Sequence, residues 1–189
     1  MRIPCHAVGR REVGSVTVEF AMIFPILLLM FVATTELGQG LTVSRKLNQA
    51  AATTADLISE QDSLTDSEME DIFMGAQMIM EPYGSSRLKI LACVIDTKKD
   101  NGVGVGKKYG HQKIKWCSAF QDEEIAKDNT PYKEIPKDMV EEEVDTIVVR
   151  AQYHFASPFT TALALSSGGY DFERTIFARS RLGDDIERE

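Results

Sequence analysis

From Phe20 through Thr35 the chain carries no charged side chain. With the lead-in from Ser15 this makes about 20 residues, enough for one helix to cross a bilayer core. No other window of the sequence is as apolar. Three other readings compete. A cleaved secretory signal has a shorter core and a small-x-small closing site, for which Ala33-Thr34-Thr35 is a weak candidate. A plain uncleaved anchor fits the length. A buried core helix of a soluble protein is disfavoured by it.

The charges around this run set its direction and hint at its use. Glu19 stands at its start, and an acidic group at a helix centre costs roughly 2.5–3.5 kcal/mol on insertion scales. A chain that keeps a carboxylate there uses it. Arg10 and Arg11 lie on the N-terminal side, whereas Arg45 and Lys46 follow only after further turns. The nearer basic pair predicts an N-terminus in the cytoplasm and the bulk of the chain across the membrane. Pro25 removes a backbone donor and predicts a kink or local loosening. Neighbouring helices can satisfy the freed carbonyl, so a membrane helix tolerates it.

The stretch Gly14-Ser15-Val16-Thr17-Val18-Glu19-Phe20, preceded by Arg10 and Arg11, resembles the processing site of type IV prepilins and pseudopilins. In that family a membrane-embedded peptidase cuts after the Gly, and the Glu is the fifth mature residue. Ser15 to Gly38, SVTVEFAMIFPILLLMFVATTELG, is similar to the start of TadE-type pseudopilins of tight-adherence (Flp) pilus systems. Those proteins pair a V-E-F start with a Pro inside the run and a closing E-L-G. A TadF-type pseudopilin shares this start, and a TadG-type protein carries a larger domain with a D-x-S-x-S motif that is missing here.

The resemblance implies a minor pilin-like subunit for pilus assembly. Residues 1–14 form a cytoplasmic leader removed between Gly14 and Ser15. Residues 15–37 form the transmembrane helix, 38–60 its periplasmic extension and 61–189 a periplasmic domain. Glu19 then pairs with the new ammonium of its own or a neighbouring Ser15, since opposite charges attract strongly in a low-dielectric setting. The implied partners are a prepilin peptidase, other Tad/Flp pilins and pseudopilins, inner-membrane platform proteins and lipid. No cofactor is implied.

Charge and cysteines fit an exported domain. The formal net charge is −8 over 189 residues, and losing Arg2, Arg10, Arg11 and Glu12 with the leader takes it to −10. That balance argues against nucleic-acid binding, which needs a basic face. Cys5 lies in the leader; Cys93 and Cys117 lie downstream, an even pair that predicts a disulfide in an oxidising compartment. Two buried free thiols are the alternative.

The periodicities predict an α+β fold of pilin type. One long helix runs from Ser15 to about Ser59, with Leu41, Leu47, Ala51, Ala55 and Ile58 on an apolar face after a bend or fray at Gly38 and Gly40. Thr65-Asp66-Ser67-Glu68 is a capping box opening a second helix. Met69, Ile72, Phe73, Ala76, Ile79 and Met80 form its apolar face, and Pro82 and Gly84 stop it. An antiparallel sheet follows, from strands over Leu88–Ile95, Lys113–Phe120, Val144–Phe155 and Phe172–Arg181. Cys93 and Cys117 fall opposite the apolar faces of the first two, so a cross-strand bridge fits. Asp96 to His111 reads as a hairpin loop and Gln121 to Glu143, with Pro131 and Pro136, as an exposed connection.

Signals of catalysis are weak. Gly102 to Lys108 fails the spacing of both nucleotide-binding patterns. His6, His111 and His154 lack metal spacing. Ser166 to Gly169 has no strand-turn-helix frame around it. Asp122 to Glu124 and Glu141 to Glu143 read as solvated faces without a calcium-loop signature. The expectation is an assembly protein, not an enzyme, with no metal site. A membrane-anchored periplasmic binding or sensor module is the alternative, with an intact leader and a pocket in the sheet domain. A secreted protein starting near residue 36 is a third.

Overall fold

The structure, a computed structural model, describes residues 12–96, 113–121, 144–156, 169–181 and 186–188. Its elements are α1 (Glu12–Ser59), β1 (Ser63–Leu64), α2 (Asp66–Met80), β2 (Leu88–Asp96), β3 (Lys113–Phe120), β4 (Thr146–Phe155), β5 (Tyr170–Arg179) and β6 (Glu187–Arg188). The chain divides into two compact units, Met1–Gln39 and Gly40–Glu189. The first contains the apolar half of α1. The second contains the rest of α1 and every other element.

In the second unit α1 buries Val43, Leu47, Ala50, Ala51, Ala55 and Ile58, none more than 1% exposed. Their spacing of three and four residues keeps them on one helical face. Leu41, expected on that face, is 53% exposed, and Val43 takes its place. At about 100° per residue, Leu41 lies far off the direction of Leu47, whereas Val43, four residues before it, lies close. The expected fray at Gly38 and Gly40 is also corrected. Helix continues through both, because a glycine lowers helix stability by about 1 kcal/mol without abolishing the hydrogen-bond ladder.

α2 opens with the expected capping box. Thr65 Oγ1 accepts the Glu68 N–H at 3.3 Å, and Glu68 Oε2 accepts the Thr65 N–H at 2.8 Å. The Thr65 hydroxyl also donates to Glu68 Oε2 at 2.8 Å, and the Thr65 N–H and hydroxyl together, the N–H first, hold the Glu68 carboxyl below its ordinary pKa. Met69, Phe73, Ala76 and Met80 are buried, with Ile72 and Ile79 packed beside them. The helix ends at Met80, two residues before Pro82, and Gly84 adopts φ +78°, a conformation that disfavours any side chain. Lys46 of α1 donates to the carbonyl of Ile79 at 2.9 Å, a cation on the C-terminal turn where the helix dipole favours it.

The sheet has the order β3-β2-β4-β5, antiparallel throughout. One face carries Leu88, Ile90, Ala92 and Val94 of β2, Trp116 of β3, and Ile147, Val149, Ala151, Tyr153 and Phe155 of β4. Phe172, Ile176 and Ala178 of β5 pack against them. This face, α1 and α2 form one core. Tyr153 donates its hydroxyl to the carbonyl of Tyr83 at 2.7 Å, and burial pushes its pKa up.

Two strand boundaries shift. β4 starts at Thr146 instead of Val144, and β5 spans Tyr170–Arg179 instead of Phe172–Arg181. At the far end Ser180 still donates its N–H to the Asp145 carbonyl opposite it at 3.2 Å, whereas Arg181 turns away from β4 and donates to the Ser59 carbonyl at 2.9 Å. β1 and β6 form a two-residue parallel pair that the sequence pattern did not predict. Residues 1–11, with Cys5, His6, Arg10 and Arg11, lie outside the described residues. So do the interiors of both long connections, including Gly102 to Lys108, His111, Asp122 to Glu124 and Glu141 to Glu143, and Ser166 to Gly168.

Replacing Thr65 by Ala is expected to cost about 1 kcal/mol, read as a lower urea midpoint. Because the Glu68 pKa is depressed in the folded state, its contribution is present at neutral pH and is lost as the pH falls through that depressed value. Urea midpoints measured between about pH 7 and pH 3 should therefore fall less steeply in Glu68→Gln than in the native chain.

Candidate functional site

In the first unit the apolar part of α1 is exposed along its length among the described residues. Val16, Val18, Phe20, Met22, Ile23 and every Leu from Leu27 to Leu29 are at least half exposed. The most apolar window within Val16–Ser59 reaches a mean hydropathy of 2.4, and none of it is buried. Among the described residues this is one helix long and apolar enough to cross a membrane. Exposure of this kind is costly in water, at about 25 cal/mol per Å² of apolar surface, and costs nothing in lipid.

The polar groups of the run are largely satisfied within the helix. Thr34 Oγ1 donates to the carbonyls of Met30 and Phe31, both at 2.9 Å. Thr35 Oγ1 donates to Phe31 at 3.1 Å and Val32 at 2.8 Å. Such back-bonding removes hydroxyls that lipid could not solvate. Pro25 lies inside α1, which continues on both sides of it, and its missing N–H leaves the Ala21 carbonyl one donor short. The rings of Phe20 and Phe24 meet at 5.7 Å between centroids. Gly14 and Ser15 fall in the opening turns of α1, which starts at Glu12, and Glu19 follows one turn later with its side chain exposed. Gly14, Ser15, Glu19 and Pro25 are thus consecutive features of one helical stretch.

In the second unit Cys93 and Cys117 are joined by a disulfide, S–S 2.04 Å. They are direct partners in the β2–β3 register, with Cα atoms 4.1 Å apart. Their neighbours Ala92, Val94 and Trp116 face the main core, so the bridge occupies the other face of the sheet. Ile95, Val148 and Phe177 form a small second cluster on that side.

One part of this unit escaped sequence reasoning. Asp145, just ahead of β4, is 2% exposed. Its Oδ2 accepts the Ile186 N–H at 2.9 Å and lies 3.5 Å from Lys115 Nζ. Trp116 Nε1 donates to the Ile186 carbonyl at 3.1 Å. The Arg188 guanidinium stacks over the Trp116 ring at 5.4 Å, bonds Asp66 at the start of α2 at 2.5 Å and reaches the Cys117 carbonyl at 3.2 Å. The C-terminal segment is thereby held at both peptide groups of Ile186 and by the Arg188 side chain. The available signal was an Asp at the second position of the strand expected over Val144–Phe155, where a charged side chain needs a partner.

Two open clefts occur among the described residues. One, of about 490 Å³, lies between α2 and β3 and is lined by Met69, Phe73, Met74, Phe120 and Arg188. The other, of about 280 Å³, includes Arg87, Lys89, His154 and Asp171. No group of three His, Cys, Asp or Glu able to hold a metal ion is found among the described residues.

A family model described as TadE-like protein matches residues 14–56. Over that stretch the chain is TadE-like. The match opens on Gly14, takes in Glu19, Pro25 and the whole apolar run, and ends inside the buried strip of α1. A TadE-like start suggests association with a Tad pilus, and the exposed apolar helix is consistent with a membrane-anchored component of it. No curated protein and no solved structure matches the chain.

Replacing Cys93 and Cys117 together by Ala is expected to cost roughly 3 kcal/mol, measured by urea unfolding, from the closed loop of 24 residues. Asp145→Ala leaves the Ile186 N–H buried without its acceptor. It should cost about 2 kcal/mol and expose the 181–188 segment to limited proteolysis ahead of the sheet.

Proposed function

We propose that this chain is a pseudopilin, a minor pilin-like subunit needed to assemble a tight-adherence pilus, and not an enzyme. The observation that carries the reading is where the TadE-like match begins. It starts at Gly14, the residue before the expected cut, and includes the Glu five residues on. In this reading a prepilin peptidase on the membrane removes residues 1–14, with Gly14 suiting a narrow site because it has no side chain. Arg10 and Arg11 keep the leader in the cytoplasm, and the second unit lies in the periplasm.

Cleavage gives Ser15 a free ammonium. Glu19 then pairs with the ammonium of its own or an adjoining subunit. In lipid each of these charges is costly alone and stabilised together. The pairing registers one subunit against the next when it leaves the bilayer. The partners in this reading are the peptidase, the other pilins and pseudopilins, and the inner-membrane platform.

Intact-mass spectrometry of the protein from native membranes tests processing. A chain beginning at Ser15 is expected, together with a gain of two hydrogens on reduction. A chain beginning at Met1 in cells holding the peptidase would replace the reading with an anchored binding module. Glu19→Ala is expected to be cleaved normally and to lose pilus assembly, scored by surface pili. Normal pili in that variant would overturn the role given to Glu19.

A further inference from the structure

Among the described residues, exposed cations gather at one end of the second unit. At that end, Phe172 and Arg174 of β5 meet the first turns of α1 in this unit. The Phe172 ring lies 3.7 Å from where a side chain on Gly40 would begin, and Arg174 donates to Ser44 Oγ at 2.7 Å. Ser44 is six residues past Gly38, which closes the apolar run. Chain connectivity alone keeps it within about 20 Å of that point. Groups packed on Gly40 and Ser44 are therefore near the surface of any membrane the apolar run occupies.

That end is basic. Arg45, Arg87, Lys89 and Arg174 are all exposed there. Among the described residues Arg87 and Lys89 have no acidic partner, and they share the smaller cleft with His154. The carboxylates nearby are already matched: Asp171 with His154 Nδ1 at 2.6 Å, and Glu173 with Arg150 Nε at 3.0 Å. Among the described residues of this unit, Glu81 alone is too little to offset four cations. Tyr170, 54% exposed, sits at the same end. The opposite end holds Asp56, Glu60 and Asp62 around the close of α1 and Asp66, Glu68 and Glu70 at the start of α2, and there Arg181 pairs with Asp56 and Glu60 and Arg188 with Asp66. A chain of formal net charge −8 thus carries a positive, tyrosine-bearing end where α1 enters this unit.

We infer that this end is a docking surface for anionic phospholipid headgroups. The inference rests on the membrane-span reading of α1. Arg87 and Lys89 take lipid phosphates, Arg45 and Arg174 add to the local field, and Tyr170 lies at headgroup level, where amphipathic rings collect.

The test is hydrogen exchange on the full chain in nanodiscs of phosphatidylcholine, with and without about 30 mol% phosphatidylglycerol. Amides in 84–89 and 169–174 are expected to exchange roughly tenfold more slowly with the anionic lipid. The protection should vanish in the Arg87→Glu, Lys89→Glu double variant, whose disulfide and urea midpoint report whether it is folded. It should also vanish for the native chain in about 1 M salt, where screening acts within about 3 Å. Equal exchange in both discs, or protection that survives charge reversal or salt, overturns the docking surface. A chain that leaves the discs in an alkaline wash instead overturns the membrane-span reading, and the docking surface with it.

Discussion

The second unit depends on the burial of one strip of α1, from Val43 to Ile58, against the sheet and α2. Ala50, Ala51 and Ala55 lie in the middle of that strip and are essentially inaccessible. Small side chains let the helix come close to the sheet, and the larger Leu47 and Ile58 fill the space to either side. α2 packs into the same core through Phe73 and Met80, and Lys46 reaches from α1 to its last turn. Without this strip much of the apolar face of the sheet would lie open to water, at about 25 cal/mol per Å² of apolar surface. The helix that carries the membrane-length run is therefore also the organiser of the domain.

Sharing one helix between two environments explains which features of the fold were legible in the sequence. The apolar run, the capping box at Thr65 and the alternation from Ile147 to Phe155 each follow from one local rule, and the structure has all three. Cys93 and Cys117 were placeable because each stood out of phase with the apolar face of its strand. Leu41 misled because hydropathy alone does not give a direction around the axis. The end of β5 was set by Arg181 bonding to Ser59, a residue distant in sequence. The pairing of β1 with β6 spans two residues, too few for any periodicity. Asp145 and the Trp116–Arg188 stack were hidden for the same reason, since their meaning depends on partners that only the tertiary fold supplies.

The candidate site was legible to a different degree. Gly14, Glu19 and Pro25 drew attention because each is locally out of keeping with a plain anchor. The TadE-like match covers that same stretch and stops before the sheet. The features that distinguish this chain's folded domain, the disulfide and the clamp around Ile186, therefore lie where the family model gives no guide. Their account rests on the geometry of this chain alone.

The position of the disulfide has a consequence for crowded subunits. β3 is an edge strand, and edge strands are the elements that neighbouring copies most readily trade. The bond between Cys93 and Cys117 ties β3 to the next strand inward, at residues that face each other directly. A strand fastened in that way cannot peel off and complete the sheet of an adjacent molecule. Copies gathered at high density in one membrane would keep their sheets separate, and any lasting contact between them would have to form through surfaces other than exchanged β3 strands.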